Sequence, residues 1–159
     1  MGAIPSEWQV VRVRGSANYL PHPLARRPPA GDAAMKWLDR SQVSPASPYM
    51  CLCLSEKNYV KAMEHCKPTK VNPWLNKGAD ATTHLLVNDA GARVAVVCVN
   101  AGNHKKADVL SLLVHEAVHI WQDYAESFGE AQPGDEQEAY AIQGIYKVLI
   151  ADYLRRSKR

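Results

Sequence analysis

The sequence predicts an α+β domain in which a short β-sheet or hairpin packs on a long apolar helix, with a second helix alongside. Three stretches carry that expectation. Residues 82–88 and 93–100 are β-rich runs separated by Asp89-Ala90-Gly91-Ala92, a hairpin signal. Residues 109–122, Val-Leu-Ser-Leu-Leu-Val-His-Glu-Ala-Val-His-Ile-Trp-Gln, are apolar at helical spacing. After Gly129, a helix stop, and a Glu-Ala-Gln-Pro-Gly loop, the run from Asp135 to Leu154 again places Ala141, Ile142, Ile145 and Leu149 on one helical face.

A chain of 159 residues with 47% hydrophobic composition suits one compact domain rather than two. Its expected extent is 35–159. Residues 1–34 differ in character: a strand-like run at Trp8 to Val13 is followed by the Pro-rich, aperiodic segment from Tyr19 to Ala33. That segment suits an extended N-terminal arm outside the core. From Met35 the pattern is more regular. Trp37 to Arg40 suits a helical turn, Pro48 to Leu54 a buried strand, and Ser55 the N-cap of a helix running to about Cys66. The cysteines Cys51, Cys53, Cys66 and Cys98 contain no C-x-x-C pair, and Cys51-x-Cys53 with His65-Cys66 is not a standard zinc spacing, so reduced thiols are expected.

The net charge of +3 is small, and its surplus lies in Arg155, Arg156, Lys158 and Arg159, a solvated tail on the simplest reading. With no basic and aromatic module, nucleic acid is not an expected partner. No run of eighteen apolar residues and no signal-peptide core occur, so no membrane partner is expected and the expected location is cytoplasmic or virion-associated.

The chemistry concentrates in the 109–122 helix, where His115, Glu116 and His119 form H-E-x-x-H. Residues four apart stand on the same helical face, so two imidazoles can take adjacent corners of a tetrahedral Zn²⁺ site. Glu116 then sits where a general base can take a proton from a metal-activated water. The competing reading is a core helix whose histidines are hydrogen-bonded and bind nothing. It requires an unusual set of buried partners for two His and a Glu.

A catalytic zinc needs a third protein ligand and an open position. No His or Cys follows His119, so a downstream third ligand is a carboxylate. Glu126 lies about 10 Å along the same helix, too far to close on the metal. Glu138 shares the inward face of the second helix and is the preferred ligand, with Glu136 in reserve. Glu138 has another possible use, as the last residue of a capping box begun by Asp135.

His115-Glu116-x-x-His119 followed by Glu138-Ala139 on a second helix resembles the zincin metallopeptidases, specifically the gluzincin pattern. The resemblance implies a small zincin-like fold, Zn²⁺ as cofactor, His115, His119 and Glu138 as ligands, and Glu116 as general base and proton shuttle. The longer string also resembles small metallopeptidases encoded in phages and prophages. One departure stands out: Ile142 occupies the position where gluzincins often carry an Asp that orients a ligand histidine.

On this reading the chain hydrolyses peptide bonds of a protein or peptide substrate, with His84, His104 and Tyr140 as candidate donors to the oxyanion. Their alternative roles are strand surface, loop surface and helix packing. The rival class is a structural or adaptor protein, such as a virion or phage-assembly component, that keeps the fold without turnover and binds its partner through the N-terminal arm. Glu116 weighs against it, because a purely structural zinc site has no use for a base.

Overall fold

The computed structural model describes residues 8–14, 36–39 and 47–157. Most of the Pro-rich arm, Arg40, Lys158 and Arg159 lie outside them. The elements are β1 (Trp8–Arg14), β2 (Tyr49–Cys53), α1 (Glu56–Cys66), β3 (Ala81–Asn88), β4 (Arg93–Val99), a short 3₁₀ turn (Ala101–Asn103), α2 (Lys106–Ser127) and α3 (Asp135–Arg156). The fold is α+β, as the sequence predicts. Its sheet has the order β1-β3-β4-β2, with β1 and β4 antiparallel to β3 and β2 parallel to β4.

The strands alternate between two helical layers. Met50, Leu52, Ala81, Leu85, Ala95, Val97 and Val99 face α2 and α3, where they meet Val109, Leu113, Ala117, Ile120, Ile145 and Leu149. Cys51, Cys53, Leu86, Val94, Val96 and Cys98 face α1 and meet Tyr59, Ala62, Met63 and Cys66. Because both faces are covered, β3 and β4 are buried almost throughout and turn no face to solvent. Each buried Leu, Ile or Val contributes about 1.5–3 kcal/mol relative to exposure.

Local chemistry sets the boundaries. Ser55 caps α1 by accepting the Asn58 N–H, and Lys67 ends it in the left-handed region at φ 49. At the β3–β4 turn the Asn88 carbonyl accepts the Gly91 N–H at 2.8 Å, and Gly91 supplies the positive φ of 84. Helix α2 opens with the Asp108 carboxylate accepting the Lys105 N–H and ends at Gly129, φ 79, where the Glu130 N–H reaches back to the Ala125 carbonyl.

Three details depart from expectation, and one alternative use of a residue is removed. The Trp8 to Val13 run, grouped by sequence with the arm, is strand β1 of the sheet. Trp37 does not open a helical turn but bridges to Cys51, while the Leu38 N–H bonds the Met50 carbonyl at 2.8 Å, because Leu38 is drawn into the core beside β2. Helix α3 takes Gly134 as its N-cap without a side-chain cap bond, so the Asp135–Glu138 capping box does not form. Finally, Arg155 and Arg156 are not a solvated tail. Both grip the buried Asp152, and Arg156 also donates to the Leu52 carbonyl at 2.6 Å and to Asn58 Oδ1 at 2.7 Å, tying the end of α3 to β2 and α1.

Candidate metal and catalytic site

Helix α2 presents its polar groups in two directions. Seven residues apart and therefore on one face, Glu116 and Asp123 both point inward and are 3% and 1% exposed. Each carboxylate has a partner on the sheet: the Thr83 hydroxyl of β3 donates to Glu116 Oε2 at 2.5 Å, and Arg93 of β4 donates to Asp123 Oδ2 at 2.8 Å. A buried carboxylate without such a donor would be costly, so these bonds fix the helix against the sheet as well as satisfying the acids.

His115 and His119 lie on the adjoining, more open face. Their Nε2 atoms are 3.0 Å apart and their rings meet edge to face with centroids 4.5 Å apart. Two nitrogens about 2.0–2.1 Å from one tetrahedral ion stand roughly 3.3 Å apart, so the pair, which is hydrogen-bonded at 3.0 Å, needs only a small separation to take adjacent corners of a zinc site. Burial pushes the Glu116 carboxyl up to about 7, with the Thr83 hydrogen bonds pulling the other way. A carboxyl near neutrality can both accept and return a proton.

These three side chains line one cavity of about 540 Å³ with Ala79, Asp80, Ala81, His104, Asp108, Ser111 and Leu112. His104 Nε2 stands 2.9 Å from Asp80 Oδ1. The pair comes from the segments just before β3 and α2, drawn together as the Asn100 N–H bonds the Asp80 carbonyl. His104 is thus in the cavity rather than on a loop surface.

The remaining sequence candidates lie elsewhere. Glu138 is half-buried and lines a neighbouring cavity of about 590 Å³ with Trp121, Gln122, Ala125, Glu126 and Glu130, close to one helical turn beyond His119. Glu136 is exposed and lines neither cavity. Among the described residues, no group of three His, Cys, Asp or Glu side chains converges in ligating geometry. Tyr140 is 68% exposed and packs in no helix interface, since its position on α3 points away from α2. His84 is neither strand surface nor near the cavity: it faces α1, donates through Nε2 to the Trp74 carbonyl at 3.0 Å and lies against Tyr59. Desolvation lowers its pKa to about 4.

Thr83, Asp80, Asp108 and Ser111 complete the cavity or support it, and sequence reasoning missed all four. Only Thr83 left a trace, as a hydroxyl between Ala81 and Leu85 on the α2-facing side of β3. The four cysteines are free thiols buried on the α1 side of the sheet and line neither cavity. No helix among the described residues is long and apolar enough to cross a membrane. No family model, curated protein or solved structure matches the chain.

Proposed function

We propose that the chain is a zinc-dependent metallopeptidase of gluzincin type, with Glu116 as the general base. One observation carries this reading: a buried carboxyl, held by Thr83 and raised toward neutrality, shares a cavity with two imidazoles whose Nε2 atoms stand 3.0 Å apart. His115 and His119 are the metal ligands from α2, and Glu138 is the third ligand, with Glu136 in reserve. Zinc bound there supplies Lewis acidity, lowering the pKa of a water from about 15.7 to about 7 and polarising a peptide carbonyl.

The residues divide the remaining work. Glu116 accepts the proton of the attacking water and returns it to the leaving amine, the exchange for which a carboxyl near neutrality suits best. Thr83 holds that carboxyl against β3 at the edge of the cavity. His104, which lines the same cavity beside Asp80, donates to the carbonyl oxygen as negative charge develops on it. With Ile142 where gluzincins often carry an Asp, the partner that orients a ligand histidine comes from elsewhere or is missing.

A second reading has its own observation. Glu138 lines the neighbouring cavity rather than the one that holds the histidine pair, which suits a structural or adaptor protein, for instance a virion or phage-assembly component, that has a zincin-like fold without turnover.

Zinc content of wild type and Glu116→Gln, measured with hydrolysis of a mixed peptide library, separates the two. The peptidase reading expects one zinc per chain in both proteins and a loss of roughly 10²–10⁴-fold in turnover in the variant. Zinc in both without cleavage in either supports the structural reading. Absence of zinc from wild type overturns the metal-site reading and with it the peptidase.

A further inference from the structure

Building on the reading of the His115–Glu116–His119 cavity as a peptidase site, we propose that β1 is an intramolecular occupant of the sheet edge on which an extended substrate docks. The site opens when β1 leaves.

The argument starts from β3. One side of this strand is paired with β4 from Ala81↔Val99 to Val87↔Arg93, and the other side with β1 from Trp8↔Asn88 to Arg14↔Thr83. The edge held by β1 is therefore the one at which β3 can accept another strand. That edge leads into the cavity. Ala79, Asp80 and Ala81 form part of its wall, and Thr83, the last β3 residue in the β1 register, is the hydrogen-bond donor to Glu116. A peptide laid antiparallel along β3 thus runs toward the reacting groups at the Ala81 end. With β1 in place, its main-chain hydrogen bonds are available only beyond Thr83, too short a run to hold an extended chain.

Two features make β1 separable. Its ladder is interrupted by a register shift between Val10 and Arg12, and β3 is the only named element with which it makes more than marginal contact. Residues 15–48 separate it from β2 in the sequence, so its departure breaks no other named pairing. Strand exchange also conserves chemistry, since main-chain hydrogen bonds to β3 lost by β1 are remade by the incoming peptide. Tethered at an effective concentration of the order of millimolar, β1 lowers apparent substrate affinity by the fraction of molecules it keeps closed. The substrate class that follows is unstructured polypeptide able to lie extended, rather than an exposed loop of a folded protein.

The test compares two full-length proteins in a Glu116→Gln background, where turnover does not interfere. In the open form, Val10→Pro with Val13→Pro removes main-chain donors from β1. In the closed form, Gln9→Cys with Val87→Cys joins register partners by a disulfide. The probe is a fluorescein-labelled peptide of residues 7–15. Binding at least tenfold tighter to the open form than to the oxidised closed form is expected. Equal binding, or none to either, overturns the proposal.

If the open form lacks a cooperative melt, the closed protein alone decides: reduction must tighten probe binding at least threefold, and an unchanged affinity overturns the proposal. Hydrolysis is measured separately on proteins that retain Glu116. Differential binding without hydrolysis in any of them leaves the docking edge standing and removes the peptidase reading. Hydrolysis with equal binding does the reverse.

Discussion

Thr83 Oγ1 donates to Glu116 Oε2 across the interface between strand and helix, so the candidate base is anchored by a sheet residue 33 positions away in sequence. Replacing Thr83 by Val keeps the shape and removes the donor. The buried carboxyl then keeps only its main-chain bond to Thr83, and loss of the hydroxyl costs about 1 kcal/mol. Thermal unfolding of Thr83→Val is expected to show that loss, together with lower peptide hydrolysis at unchanged zinc content, whereas Thr83→Ser retains both.

The His104–Asp80 pair gives a different signature. Asp80→Asn and His104→Ala leave α2 and its histidines intact, so zinc stoichiometry stays at the wild-type value. Turnover falls by roughly 10²–10³-fold in His104→Ala, as for loss of one oxyanion donor, and by less in Asp80→Asn. Equal KM in wild type and variant is the expected companion result, since the contact strengthens only as charge develops.

Zinc affinity is the readout that separates Glu138 from Glu136. Chelator competition on Glu138→Gln is expected to show affinity weaker by more than about a hundredfold, the loss of a direct ligand exceeding the roughly 10–100-fold range typical of supporting groups. Glu136→Gln, a change on an exposed turn, leaves affinity unchanged. Reversal of the two results would reassign the ligand.

His84 links stability to acidity. Its folded pKa is about 4 against an ordinary 6.5, because burial disfavours the imidazolium. Below pH 6.5 the unfolded chain takes up a proton that the folded chain refuses, so stability is full above that pH and declines as pH falls toward 4. A shift of this size corresponds to about 3 kcal/mol. Denaturant unfolding between pH 7 and 4 is expected to show the decline in wild type and a flatter profile in His84→Gln; parallel profiles would remove His84 as its origin.

Much of the fold was legible because its signals are local. Ser55 caps α1, the Asp89–Ala92 turn makes the hairpin, and Gly129 stops α2; in each the signal lies within a few residues of the boundary it sets. Inward Ile145 and Leu149 likewise follow from helical period alone. Elements whose state depends on a distant partner were read less well. Trp37 and Leu38 bridge to β2 because the core needs Leu38, and β1 has meaning only once β3 lies beside it.

The same division runs through the candidate site. By itself, the sequence determined that His115 and His119 share a helical face, which follows from 100° per residue, and set Glu116 beside them as the candidate base; its burial against β3 came only from the tertiary structure. Tertiary structure decided the rest. Thr83 holds Glu116, Asp80 and His104 share the cavity wall, His84 faces the opposite layer, and Glu138 lies beside the neighbouring cavity. Each of these depends on which strand and helix lie side by side and in what register. A hydrogen bond between residues far apart in sequence leaves no periodic or capping pattern in the chain that forms it.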